Sequence, residues 1–447
     1  MVSRPTPLGT SHFTLNASGL ASLLGGSETI FSLALLSVYP RRMSFGGWYN
    51  SPGSYFLGMR LARLATKNPI LKAISESDED VLSKSKKKLE KNIDPAELFE
   101  WDGLKGPTFR GIYSGTIIDH TGHFAALFFK ECADLKVATT ISGTEETSPV
   151  DLIIANLQNT PDKSAPLEKL RIGNDAIAFT LIIIVISVAA AAGSGYIHDW
   201  YCFSVIVLGI LVNGVTHIVI GFGTLKFIHP PPTDKEMPDG DGFLIGAEQI
   251  VWLKGKEAAV NPVTRGKFTL HFDNDLLIHA IGICSMLLFL QSIAQFILIP
   301  QGSLLGQIMF SGSIIISWGY NLWRSYFNKN REKIQRAMVV ESILQTPKLT
   351  KYTFNTRTSL AVFVAIANED KSKSRAILNH ILPNDTVEWN TWKYAIESRL
   401  QNGQRLQFEE SDWNGSGLKQ MLYKDAQSAY EAYRKCKEVP NYPPRAR

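Results

Sequence analysis

Residues 176–197 read AIAFTLIIIVISVAAAAGSGYI, without a single Asp, Glu, Lys or Arg. A helix needs about 20 apolar residues to cross the hydrocarbon core of a bilayer, and this run meets that length. His198 and Asp199 turn the chain into WYCFSVIVLGILVNGVTHIVIGFGTL (200–225), again free of those four residue types. Further out, LLIHAIGICSMLLFLQSIAQFILI (276–299) is broken by Pro300, Gln301 and Gly302, and SLLGQIMFSGSIIISWGYNLW (303–323) returns to Arg324. A soluble core can hold one such run. Four in two tight pairs call for a bilayer, where a helix satisfies its own backbone polar groups. The expected fold class is a membrane α-helical protein: a four-span transmembrane bundle of two hairpins with cytosolic mixed α+β segments.

Basic residues flank one end of every run. Lys169 and Arg171 precede the first, Lys226 follows the second, Lys267 approaches the third, and Arg324, Lys329, Arg331, Lys333 and Arg336 follow the fourth. The two short turns hold no Lys or Arg. By the positive-inside rule the basic ends, both termini and the middle loop face the cytosol. Aromatic residues stand where an interfacial belt needs them: Tyr196, Trp200 and Tyr201 at one turn, Trp318, Tyr320 and Trp323 near the last inner end.

The rest of the 447 residues divides around these hairpins. Residues 1–75 form a basic amino-terminal segment, 76–106 a charged linker and 107–174 a small soluble α+β segment. Residues 175–226 are the first hairpin, 227–275 a cytosolic loop, 276–323 the second hairpin, and 324–447 a mainly helical cytosolic region. Within the first segment, SYFLGMRLARLATKN (54–68) sets Leu57, Leu61 and Leu64 on one stripe and Arg60, Arg63 and Lys67 on another. Two readings stay open: an interfacial helix with its leucines in the acyl boundary and those three cations at the membrane surface, or a helix packed on protein. The apolar stretch 29–39 is too short to span and lies either in the interface or on protein.

Local patterns place further elements. TFRGIYSGTIIDHTG reads as strands with glycine-marked turns and HFAALFFKECADL as a short helix. Residues 137–142 and 149–155 read as short strands or apolar segments, and the apolar run 360–366 as a strand. NKNREKIQRAMVVESILQ continues the last span as a helix. Asp385 with Glu388 suggests a capping box on a helix that buries Trp389, Trp392, Ile396 and Leu400. A last helix, about 418–437, presents Leu422, Ala426, Ala429 and Tyr433.

Composition narrows function without naming it. A net charge of +5 suits an anionic inner leaflet, and the basic block at 84–88 lacks the interleaved aromatics that stack bases; no nucleic-acid partner is expected. The four cysteines are unpaired by spacing, and reduced structural thiols are the expectation. At VNPVTRGKF (260–268) and LPNDTVEWNTW (382–392), together with the span layout, the chain resembles uncharacterised fungal multi-pass membrane proteins. That resemblance implies no activity and no site residues.

Histidine is the one ionisable type inside the runs. His217 and His279 lie near the same end of their spans, where two neutral imidazoles facing one another are able to hold a haem axially; interhelical hydrogen bonding is the alternative. Asn213, Thr216 and His217 share a face near Gly209, so that face points at protein. Gln291, Gln295, Gln307, Ser311 and Ser317 add polarity. Asp119, His120, His123 and Glu131 lack any standard zinc spacing, and Asp239 and Asp241 lack the further ligands of a calcium loop. The leading expectation is a cytosol-facing membrane anchor, interaction or scaffold protein with the bilayer and a cytosolic protein as partners. A membrane-embedded redox or lipid-modifying enzyme, its cofactor undefined beyond haem on those histidines, and a small-solute channel or carrier are the alternatives.

Overall fold

The computed structural model describes residues 46–66, 92–93, 106–141, 149–157, 174–230, 239–272, 275–345, 347–413 and 417–438. The stretch 29–39, Lys67 and the charge block at 76–91 lie outside them. In chain order the α-helices of eight or more described residues are α1 (Ser54–Thr66), α2 (His123–Ala133), α3 (Asn174–Tyr196), α4 (Trp200–Gly221), α5 (Glu257–Arg265), α6 (Asp275–Leu298), α7 (Leu304–Leu344), α8 (Arg357–Ala367), α9 (Ser374–Ile381), α10 (Val387–Gln401) and α11 (Gly417–Glu438). The strands are β1 (Asn92–Ile93), β2 (Thr108–Gly111), β3 (Ile117–Ile118), β4 (Thr139–Ile141), β5 (Val150–Asn156), β6 (Thr224–Ile228), β7 (Gly242–Ile245), β8 (Gln249–Lys254), β9 (Lys267–His271) and β10 (Lys348–Phe354). The chain forms two units. One comprises Met1–Asp102, Ser164–Phe227 and Phe268–Gln335; the other Gly103–Lys163, Ile228–Lys267 and Arg336–Arg447.

The first unit is built on α3, α4 and α6, with α1 and most of α7. Among the described residues three helices are long and apolar enough to cross a membrane: Ala178–Tyr196, Trp200–Gly221 and His279–Gln301. The fourth expected run opens α7, a 41-residue helix that continues through Arg324 and the charged residues beyond it. Gln307, Ser311, Ser313, Ser317 and Asn321 dilute its apolar character, so it lacks the hydropathy of the other three. The unit turns ordinary polarity inside out. Leu181, Val185, Met286, Leu290 and Ile297 are exposed, while Ser187, Asn213, His217, Gln291 and Ser313 are buried.

At the tips, Asp199 caps α4 by accepting from Cys202 N at 3.1 Å. Its other oxygen accepts from Ser303 N and Ser303 Oγ, each at 2.7 Å. One carboxylate therefore joins the α3–α4 turn to the α6–α7 turn. Gly302 and Gly306 let that approach happen, since a Cβ on either would run into Cys202 or Asp199. Near the opposite ends of the helices, β1, β9 and β6 form a small sheet, with Phe227 and Phe268 packed at a ring separation of 5.4 Å.

The second unit is a seven-stranded mixed sheet in the order β3-β2-β7-β8-β5-β10-β4. Its strands come from all three segments outside the hairpins. β5 runs parallel to β8 and β10 parallel to β4, while the other neighbours are antiparallel. β5 (VDLIIAN) and β8 (QIVWLK) are buried along nearly their whole length, because helices cover both faces and no face needs to alternate with water. Leu152, Ile154, Ile250 and Trp252 join the core formed with α8, α9, α10 and α11. On the other face α2 packs on α5 and β8.

Two expectations change here. Residues 360–366 are helical, within α8, and Leu360 to Ala365 are all fully buried. A helix enclosed by the sheet, α9 and α11 is apolar all round, so the 3.6 period that marks a surface helix is missing. The cap of α10 is Thr386 rather than Asp385, whose carboxylate instead accepts from Asn390 Nδ2 at 2.6 Å. Trp392, Ile396 and Leu400 are buried on α10 as expected, whereas Trp389 is only partly covered; α11 buries Leu422, Ala426 and Ala429, with Tyr433 partly covered.

Candidate functional site: a polar seam around a re-entrant segment

The chain before α1 reads GGWYNSPGS (46–54), and from Trp48 to Gly53 it has no regular secondary structure. It nevertheless sits inside the first unit: Tyr49 and Asn50 are fully buried and Ser51 nearly so. Its path follows from its partners. Gly46 lies against Thr180 early in α3, and Asn50 N donates to Ser187 Oγ at 3.2 Å, which is roughly 10 Å farther along the helix. On α4, which runs the other way, Gly47 meets His217 and Asn50 meets Gly209, two turns earlier in sequence. Pro52 and Gly53 (φ 75°) then reverse the chain. α1 returns along α6, with Ser54 Oγ 2.9 Å from Ser292 Oγ and Ser285 Oγ donating to Gly58 O at 2.8 Å. The segment enters and leaves the helices from the same end.

Side chains from four elements close around it. Tyr49 OH donates to Asn321 Oδ1 at 2.8 Å, and its ring stands edge-on to His217 and Tyr320. Asn213 Nδ2 donates to the carbonyls of Gly47 (2.7 Å) and Tyr49 (3.2 Å). Asn50 Nδ2 donates to Ser313 Oγ at 2.9 Å, and that hydroxyl donates onward to Phe310 O at 2.8 Å. Gly214 gives room to the Trp48 indole, which a Cβ would approach to 2.6 Å. Among the described residues of this unit six buried side-chain oxygens are left without a hydrogen-bond partner: Asn50 Oδ1, Asn213 Oδ1, Gln291 Oε1 and Ser317 Oγ, and on α7 also Gln307 Oε1 and Ser311 Oγ.

The expected site residues fall differently. His217 is 1% exposed and packed on Gly47 and Tyr49, whereas His279 is exposed on α6. The two imidazoles expected to face one another occupy different settings. Gln291, Gln295, Gln307, Ser311 and Ser317 are buried, and the Asn213–Thr216–His217 face points into protein as expected. Leu57 and Leu61 are covered, with α1 packed on α6, so their face meets protein rather than acyl chains. Arg60 is half-buried. Asp119 and His120 are exposed, and among the described residues no three His, Cys, Asp or Glu side chains converge on a metal position. Asp241 Oδ1 accepts from Gly255 N at 2.8 Å and braces a turn.

Sequence reasoning missed the re-entrant segment. Its signal is the absence of charge from Met43 to Met59, combined with Gly, Asn, Ser and aromatic residues too irregular for a span.

In the second unit the buried polar groups are braces. Lys351 Nζ pairs with Asp151 at 2.9 Å and donates to Ala133 O at the end of α2. Burial pushes the nearby Cys132 thiol well above the ordinary range. Lys393, 2% exposed, donates to Asn379 Oδ1, Leu382 O and Asn384 O. Burial, and then Arg110, lower the pKa of His380, and Arg110 Nη1 donates to the His380 carbonyl at 3.2 Å. Comparison with protein-family models, curated proteins and solved structures gave no match.

Proposed function

We propose that this chain is a four-span integral membrane protein that holds an α/β unit in the cytosol and acts as a membrane-anchored interaction or scaffold protein. One observation carries the reading. The seven-stranded sheet takes β2 to β5 from before α3, β7 and β8 from between α4 and α6, and β10 from after α7. A sheet is not assembled across a bilayer, because its ladder would be left open in lipid. All three segments therefore lie on one side, and each pair of helices between them crosses an even number of times. α3 and α4 satisfy that as a hairpin. If α6 crosses, the first half of α7 crosses back, polar residues and all.

The exposed aliphatic side chains of α3 and α6 suit lipid contact, and Lys226, Lys267 and Arg324 orient the sheet side to the cytosol. On α10 of the α/β unit, Val387 and Tyr394 stand two turns apart, 79% and 68% exposed. They offer an apolar contact to a protein partner.

Single cysteines in a cysteine-free background test the topology. Tyr196→Cys should react with a membrane-impermeant maleimide on intact cells, and Val387→Cys only after permeabilisation. Labelling of Val387→Cys on intact cells would overturn the orientation. Labelling of neither position before permeabilisation would overturn surface exposure of the turn. Photo-crosslinking from position 394 should then trap a cytosolic protein, and a bare monomer under those conditions would count against the scaffold role.

A further inference from the structure

Amide orientation decides what the polar seam lacks. Asn213 faces two backbone carbonyls through its amide nitrogen. Turning that amide over would set oxygen against oxygen, so Oδ1 is the atom left over. Ser313 Oγ spends its proton on Phe310 O, so it can only accept from Asn50, and Asn50 Oδ1 is left over for the same reason. Both asparagines are at most 2% exposed.

The side chains that carry four of the leftover oxygens are neighbours around Gly209 and Ser313. Asn50 Oδ1 and Gln291 Nε2 both lie over the bare Cα of Gly209. No hydrogen bond fixes the Gln291 amide, so turning it over brings its unpartnered Oε1 to the same place, and Asn213 is one turn along the same face of α4. Ser317, fully buried, lies one turn from Ser313, which holds Asn50, and one turn from Asn321, which holds Tyr49. A buried acceptor without a partner costs about 1–3 kcal/mol. A cluster of them calls for something that brings positive charge or protons.

We propose that the re-entrant segment builds a binding site for a monovalent cation, coordinated by the uncharged oxygens of Asn50, Asn213, Gln291 and Ser317. A water molecule satisfies two acceptors, and four are present; a cation satisfies all of them together. The ligands are neutral, which suits a singly charged ion, since calcium and magnesium sites draw on carboxylates. Carbonyl oxygens are able to replace the hydration shell of such an ion in a protein interior. Irregular backbone buried among helices supplies these ligands without breaking a span.

The experiment uses the full chain in lipid nanodiscs, with thermal unfolding followed in sodium, potassium and choline chloride at equal ionic strength. The midpoint should be higher in sodium or potassium than in choline and should rise saturably with that ion. Gln291→Glu should lower the half-saturating concentration by about tenfold. Gln291→Met should remove the dependence while keeping the choline midpoint; Ser317→Ala serves the same purpose if Gln291→Met does not fold. Equal midpoints in all three salts would mean that water alone fills the seam and would overturn the site. A dependence that survives both substitutions would overturn it as well. Neither result bears on span number, which the cysteine labelling reads separately.

Discussion

At His380 two effects act in one direction. Burial disfavours the imidazolium first, the guanidinium of Arg110 second, and a hydrogen bond with the Gly111 backbone opposes them more weakly. The folded chain therefore holds this proton less tightly than the unfolded chain, whose histidine titrates near 6.5. Stability from the neutral ring is fully present above that value and is lost as pH falls below it toward the lowered folded pKa. Urea unfolding at pH 7.5 and 5.5 should show a stability drop that His380→Gln reduces. An unchanged drop in the variant would assign the pH dependence to other groups. The same residue-scale logic explains Lys393: three acceptors surround a nearly inaccessible ammonium, so its burial is offset by hydrogen bonds, with the Asp385 carboxylate also favouring the charge.

The helices differ in how much of themselves they announce. α11 shows a regular apolar stripe because one face meets water, and its expected limits, about 418–437, agree closely with Gly417–Glu438. α8 shows no stripe because no face does. Its Phe363 ring lies 5.6, 5.2 and 5.8 Å from the rings of Tyr352, Phe354 and Tyr433. Replacing it with alanine opens a cavity that these rings cannot close, at a cost of about 3–5 kcal/mol. Val387→Ala on the exposed face of α10 should change stability by less than about 0.5 kcal/mol. Chemical denaturation of the two variants would show this contrast, and equal effects would contradict the packing described for α8. α1 illustrates a different gap. Leu57 and Leu61 mark an apolar face whether the neighbour is lipid or protein, and local spacing does not distinguish the two.

For the whole molecule, a single carboxylate links the tips of both hairpins. Asp199→Ala leaves Cys202 N, Ser303 N and Ser303 Oγ without their acceptor in a nearly closed turn. The expected loss is roughly 1–3 kcal/mol, read as a lower unfolding midpoint in nanodiscs. Asp199→Asn retains an acceptor oxygen and should recover part of it. No difference between alanine and wild type would mean that the turns are held by packing alone. The sheet works at the same scale, because strands that are distant in sequence constrain the path of every helix between them.

Apolar length, the missing charges and the basic flanks follow from the sequence, because they depend on each residue's own affinity for water and on neighbours within one helix. The same holds for α2, α10, α11 and the continuation of α7. The re-entrant segment, the enclosure of α8 and the separate settings of His217 and His279 were decided by tertiary structure. Each depends on which distant surface covers a residue: Gly47 and Tyr49 meet α4 because α3, α6 and α7 leave room for them there. Seven strands from three segments become one sheet only when the intervening helices bring them together, and no local pattern records that meeting.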